Sequence, residues 1–288
     1  MSIETHHTAE TKFVNAAGIR FAYRRFGKKG GVPLVMCQHY TGNLDNWDPA
    51  VTDGFARDRE VVIFNNAGIA SSSGETPATV TGMAMHAAAF VGALGLDTID
   101  LLGFSLGGCV AQELALARPE LVRRAVLVGT GPRGGEGMES FTPEATRIFG
   151  ATYAVPEELW LHVFFTESER SQTAGRLFLE RFRARKRSRD IPVSEKVAPA
   201  QEAALAAWGA PRSDGYAYLK GIKQPTLVVN GSNDVIVYTR NSYILQQSLP
   251  HAQLILYPDS NHGSQYQYPD LFVDHVARFL RSSPAGAA

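Results

Sequence analysis

The segment Gly103-Phe104-Ser105-Leu106-Gly107-Gly108 carries the residue types of a hydroxyl nucleophile set in a sharp turn. It lies where an apolar run of strand length, Thr98 to Gly103, gives way to a run of helical character, Leu106 to Ala117. A serine forced into a tight strand-to-helix turn leaves no room for side chains two residues before and after it, and glycines stand at both places. Such a turn aims the hydroxyl out of the sheet and puts the free N–H groups of the helix start beside it, where an oxyanion can be held. The competing reading is a glycine-rich loop that cradles a phosphate. The spacing within this segment is not that of a dinucleotide or nucleotide loop, and no lysine follows its glycines.

A serine hydroxyl is a weak nucleophile at neutral pH and needs a base, which in turn needs an orienting partner. Of eight histidines, His262 in Asp259-Ser260-Asn261-His262-Gly263 lies in a loop after the last strand-like run, where loops at one sheet edge converge. The candidate acid is Asp234 in Gly231-Ser232-Asn233-Asp234, after the preceding strand-like run. Glu136 competes, because it follows an earlier strand from which a carboxylate can approach a histidine, whereas Asp259 is too near His262 in sequence to orient it easily. His39 reads either as a second functional histidine lining a pocket or as a polar loop residue bonded to backbone. Cys37 and Cys109 lie in or beside apolar runs and are expected to pack as small, reduced hydrophobes. Neither a cysteine pair nor an H-E-x-x-H pattern occurs, so neither metal nor cofactor is expected.

These residues must be positioned by the elements between them. Two alternating segments, Lys12 to Val14 and Arg20 to Phe26, read as a hairpin; Pro33 to Cys37, Glu60 to Asn65, Thr98 to Gly103 and Arg124 to Gly129 read as buried strands. Helical spacing falls between them, within Leu44 to Arg57 and over Thr79 to Leu94 and Leu106 to Ala117. The alternation stops at about Gly131, continues as helix-forming stretches such as Pro156 to Phe165 and Gln172 to Arg185, and resumes with Gln224 to Asn230, Tyr238 to Leu249, Gln253 to Tyr257 and Pro269 to Leu280. The expected fold is α/β, a mostly parallel, doubly wound sheet of about eight strands with a helical lid inserted after the sixth. Residues 1–130 and 222–288 would form the core and 131–221 the cap, set over the carboxyl ends of the strands where such folds bind ligands. In the cap Trp160, Phe164, Phe165 and Trp208 are candidates for an apolar pocket, although aromatic residues at helical spacing also serve as plain core. The basic run Arg181 to Arg189 reads as a solvated face of the lid.

The 288 residues are 44% hydrophobic and balance 28 Lys and Arg against 28 Asp and Glu. A neutral chain of this kind has no long-range attraction for nucleic acid or an anionic membrane, which points to a small-molecule partner. The polar start MSIETHHTAETK lacks the pattern of a secretory signal and no apolar stretch is long enough to span a bilayer, so a cytoplasmic protein is expected. Low complexity is confined to the tail SSPAGAA.

The chain order Ser105, Asp234, His262 resembles that of the α/β-hydrolase superfamily. The loop Asn66 to Gly74 is similar to the one after the fourth strand in many lidded members, and Gln38-His39-Tyr40-Thr41-Gly42 followed by Trp47 resembles their oxyanion loop, with Gln38-His39 where those members usually have His-Gly. The resemblance implies that the backbone N–H groups of Tyr40 and Leu106 form the oxyanion hole. It also implies hydrolysis of a small ester or lactone through an acyl-enzyme, with carbon–carbon bond cleavage and cofactor-free haloperoxidase or perhydrolase chemistry as alternatives in the same superfamily. A non-catalytic receptor that keeps the fold and the pocket is the alternative of another class.

Overall fold

A computed structural model describes residues 4–282 of the chain; most of the tail SSPAGAA lies outside them. Strands β1 (Lys12–Ala16) and β2 (Ile19–Gly27) form the expected hairpin around Ala17 and Gly18, both at positive φ. The chain then alternates through β3 (Leu34–Cys37), α1 (Pro49–Ala56), β4 (Glu60–Phe64), α2 (Val80–Ala93), β5 (Ile99–Phe104), α3 (Leu106–Ala117) and β6 (Val122–Val128). After an insertion it closes with β7 (Thr226–Gly231), α8 (Arg240–Ser248), β8 (Ala252–Tyr257), the short α9 (Ser264–Gln267) and α10 (Pro269–Arg281). The eight strands form one sheet in the order β1-β2-β4-β3-β5-β6-β7-β8. Only β2 runs against the rest, because both of its pairings are antiparallel while all those from β4 to β8 are parallel.

Strands β3, β4, β5 and β7 are buried along their whole length, which is why they read as continuous apolar runs. The two-residue period still divides them. Leu34, Met36, Val61, Ile63, Leu102 and Phe104 face the layer of α1 and α10, whereas Val35, Val62, Leu101 and Leu127 face that of α2, α3 and α8. Each such aliphatic side chain removed from water contributes roughly 1.5–3 kcal/mol. From β3 the chain steps outward to β4, then returns past β3 to β5 and continues the other way. The carboxyl ends of β3 and β5 therefore flank the crevice where the winding reverses, the place where an open α/β sheet offers a ligand site.

The insertion between β6 and β7 contains no strand among its residues. It comprises α4 (Pro143–Gly150), α5 (Leu159–Phe164), α6 (Glu169–Phe182) and α7 (Val197–Gly209), with single turns of tighter helix at Pro156–Glu158 and Ala217–Gly221. Proline at the first position of α4 and the side-chain cap of Thr142 on the Ala145 N–H start that helix, and Ser168 caps α6 in the same way.

The basic run is where the structure departs most from the sequence reading. Arg181 makes a two-pronged pair with Asp48, at 2.8 and 2.6 Å, and the buried Arg185 donates to the carbonyls of His6 and Ala9 at 2.6 and 2.9 Å. Arg189 approaches Asp45, whose carboxylate pairs at 2.6 Å with the fully buried Arg24. Arg185 is thus buried, Arg181 half-buried and Arg189 exposed, and a guanidinium can bury only where carboxylates and carbonyls receive its protons. Lys186 and Arg187 between them remain exposed. No described helix is long and apolar enough to cross a membrane.

Candidate active site

Ser105 joins β5 to α3 at φ 55° and ψ −120°, a conformation that a residue with a side chain rarely adopts. The glycines around it are required. A Cβ on Gly103 would lie 2.2 Å from the carbonyl oxygen of Gly107, and one on Gly107 would lie 2.1 Å from that of Cys37. The backbone is pinned by the Ser105 N–H donating to Val128 at 2.9 Å and by the Ser105 carbonyl accepting from Gly108 at 2.8 Å. Although Ser105 stands at the N-terminus of α3, its hydroxyl is not used to cap that helix.

The loops after β7 and β8 bring the other two residues together. His262, 2% exposed, has its Nδ1 2.8 Å from Asp234 Oδ2, while Asp234 Oδ1 accepts from the N–H groups of Ile236 and Val237, each at 2.9 Å. A carboxylate only accepts, so Nδ1 carries the proton and Nε2 presents a lone pair. The two loops are pressed together at Gly231, where a Cβ would lie 2.1 Å from the carbonyl oxygen of Ser260. The other carboxylates are engaged elsewhere. Glu136 is half-exposed and pairs with Arg240 at 3.1 Å. Asp259 accepts from the hydroxyls of Ser168 and Thr166, which hold its carboxyl below the usual range.

Ser105 and His262 line the same cavity, of about 480 Å³. The N–H groups of Tyr40 and Leu106 meet no acceptor among the described residues, so both are free to bind an oxygen. His39 is placed at the cavity and is also bonded to backbone: its Nδ1–H donates to the Tyr40 carbonyl at 2.8 Å. Burial pushes its pKa down to about 4, against the raising effect of the Tyr40 hydrogen bond and with a smaller lowering from His262, so the ring is neutral at pH 7. Its buried Nε2 has no hydrogen-bond partner among the described residues.

Trp160 and Phe164 stack at 5.0 Å and form one cavity wall; Phe141, Phe149, Leu205 and Ile236 contribute others. Trp208 does not line the cavity. Its indole N–H donates to the Gly131 carbonyl at 3.2 Å, and its ring lies under Arg133 and beside Tyr218, because its position on α7 faces the segment that follows β6. Phe165 packs on Phe178 in the core. Cys109 lines the cavity, but burial pushes its thiol up to about 12, as it does that of Cys37, and a protonated thiol is inert.

Three residues that sequence reasoning did not single out complete the surroundings. Asn261 accepts from the Val235 N–H at 2.9 Å and donates to the His162 carbonyl at 3.1 Å, tying the acid loop to α5. Gln201 and Glu202 reach from α7 to the loop after β3. Only Asn261, beside His262, had a positional signal.

A family profile described as alpha/beta hydrolase fold matches residues 32–269. The chain belongs to the α/β-hydrolase family. A solved structure of an alpha/beta hydrolase fold protein from Chitinophaga pinensis superposes with a TM-score of 0.91 at 40% identity, over 97% of this chain and 100% of that one. A putative carbamate hydrolase of Rhizobium rhizogenes is 26% identical, over 86% of this chain and 92% of its own length. A 2-hydroxy-6-oxo-6-phenylhexa-2,4-dienoate hydrolase of Burkholderia cepacia is 30% identical, over 65% of this chain and 64% of its own. This α/β-hydrolase is thus similar to enzymes named for hydrolysis at quite different bonds.

Proposed function

We propose that this α/β-hydrolase cleaves a small, uncharged ester or lactone through an acyl-enzyme. Ser105 attacks the carbonyl carbon as His262 Nε2 takes its proton, and Asp234 stabilises the imidazolium that results. The Tyr40 and Leu106 amides receive the oxyanion; losing one such donor typically costs ~3 kcal/mol of transition-state stabilisation. The imidazolium then protonates the leaving alcohol, and water repeats the sequence on the acyl group. Residues 131–221 act as the cap, with Trp160 and Phe164 holding the acyl chain. The observation that carries this reading is the buried Asp234–His262 pair opening onto the same cavity as a serine in the strained elbow conformation.

The charge of the cavity bears on the kind of substrate. Its lining includes Glu139 and Glu202 but no lysine or arginine. A carboxylate entering such a site loses hydration without gaining a cation, at a cost of several kcal/mol. The dienoate named for the Burkholderia relative is a carboxylate, so this lining favours ester or lactone cleavage over that carbon–carbon reaction.

The test is a panel of neutral nitrophenyl esters of graded acyl length, simple lactones and a nitrophenyl hemisuccinate, with wild type and Ser105→Ala side by side. Turnover of the neutral substrates by wild type alone, with the hemisuccinate poorer by tenfold or more, is expected. Equal activity of the two proteins would remove Ser105 from the mechanism, and a preference for the anionic ester would reverse the substrate assignment. If both proteins are inert on the panel yet wild type is labelled by a fluorophosphonate, the bond cleaved is of another kind; an unlabelled wild type points to a receptor.

A further inference from the structure

The loop after β3 makes a tight turn, with the Gly42 N–H donating to the His39 carbonyl at 3.1 Å. Within it Thr41 sits at φ 53°, in the left-handed region where a β-branched residue is strained by about 1–3 kcal/mol. The peptide group between Tyr40 and Thr41 is gripped at both ends. Its carbonyl accepts from His39 Nδ1 at 2.8 Å, and its N–H donates to Oε1 of Gln201 at 2.6 Å. Gln201 lies on α7 in the insertion and is buried. The next residue of the same helix, Glu202, accepts from the Tyr40 hydroxyl at 2.6 Å, and the Tyr40 ring lies edge-on to Phe141 and Phe149. The strained turn is therefore held from outside by one helix of the insertion and from inside by His39.

We propose that Gln201 and His39 are positioning residues that clamp the Tyr40–Thr41 peptide and thereby aim the Tyr40 amide at the oxyanion, so that docking of α7 completes the oxyanion hole. This rests on the proposed roles of Ser105 and Tyr40. Without the clamp the strained turn relaxes through ψ of Tyr40 and φ of Thr41, and the compensating turn of the preceding His39–Tyr40 peptide, which carries the Tyr40 N–H, moves that donor. An oxyanion donor works only over a narrow range of distance, so a shift of under an ångström is felt in the transition state and hardly at all by the bound substrate. The cap is then more than a cover: a substrate that holds α7 in place also switches on the site that attacks it.

The test compares wild type with Gln201→Met, which keeps the shape and removes the acceptor, and with Gln201→Glu, which restores an acceptor. Three quantities are measured: the second-order rate of fluorophosphonate labelling of Ser105, kcat and KM on a neutral nitrophenyl ester, and hydrogen exchange of the Thr41 amide. The methionine variant is expected to label roughly tenfold to a hundredfold more slowly, to lose kcat by a similar factor with KM within about twofold, and to exchange the Thr41 amide faster. The glutamate variant should recover most of the labelling rate, and His39→Phe should behave like the methionine variant. Should Gln201→Met not fold, Gln201→Asn, shorter by one methylene, takes its place. Labelling and kcat at wild-type levels in a folded variant with a faster-exchanging Thr41 would overturn the coupling alone. A wild-type protein that is not labelled would overturn the serine-hydrolase reading beneath it.

Discussion

Replacing Asp234 by asparagine tests its proposed role as the acid of a triad with almost no change of shape. The carboxylate accepts three hydrogen bonds: from His262 Nδ1 at 2.8 Å on one oxygen, and from the Ile236 and Val237 amides at 2.9 Å on the other. Asparagine has one oxygen to offer. Facing it toward His262 would set its NH₂ against two part-buried N–H donors and leave both without their acceptor. The amide oxygen therefore stays with the backbone pair and the NH₂ faces the imidazole. Nδ1 is then forced to accept, the proton moves to Nε2, and the base has no lone pair for Ser105. Loss of the correct tautomer at a triad of this geometry lowers kcat by ~10⁴-fold, about 5 kcal/mol in activation free energy. Initial rates on a neutral nitrophenyl ester, with circular dichroism and a thermal melt to establish folding, measure it. Glu136→Gln is the paired control and should stay within about twofold, since Glu136 pairs with Arg240 on the surface. A folded Asp234→Asn protein retaining a tenth or more of the activity would refute the argument, and a comparable loss in Glu136→Gln would transfer the role.

Two further outcomes concern stability. His39 titrates at about 4 in the folded chain against 6.5 when free, so between those values the unfolded state binds more protons. Its contribution is complete above pH 6.5 and shrinks as pH falls toward 4, by on the order of 3 kcal/mol. Urea unfolding at a series of pH values should show a shallower acid decline in His39→Gln than in wild type, and parallel curves would contradict the burial argument. Asp45→Asn removes the charge that pairs with the fully buried Arg24 and faces Arg185. A loss of ~3–5 kcal/mol is expected, lowering Tm by about 5–8 °C, whereas Lys186→Ala in the exposed part of the same run should shift Tm by less than about 1 °C.

How much of this was legible in the sequence follows from the range of each signal. The strands β3, β4, β5 and β7 announced themselves because burial on both faces leaves mostly apolar residues, with Glu60 and Asp100 buried only against arginines, and Gly103 and Gly107 marked the elbow because contacts under 3 Å exclude any side chain there. The starts of helices moved by two or three residues where a cap decided them, as at Ser168 before α6, whose hydroxyl accepts from the Ser171 N–H. Trp208 was beyond reach: whether a tryptophan on a cap helix faces the cavity or the segment that follows β6 depends on the docking angle of α7, which no local pattern encodes. Gln201 and Arg185 were missed for the same reason. Their partners, Thr41 and the carbonyls of His6 and Ala9, lie about 160 to 180 positions away in the chain. A polar residue on a helix looks solvated until that distant surface is brought against it.

The join between α5 and the histidine loop constrains how this enzyme can be changed. The Gly263 N–H donates to the Phe164 carbonyl at 3.0 Å, a Cβ on Gly263 would lie 2.3 Å from that of Phe164, and Asn261 grips the His162 carbonyl. The helix that supplies Trp160 and Phe164 to the cavity wall is therefore bonded on both sides of His262. On the proposed mechanism, substitutions that reshape α5 for a new substrate will disturb His262 along with the pocket, and gains in specificity there will come with losses in turnover. Met138, Phe141, Phe149 and Leu205 line the same cavity from elements without such a bond to that loop. Those four positions are where a mutational library, or natural divergence, can explore new substrates while leaving the His262 loop undisturbed.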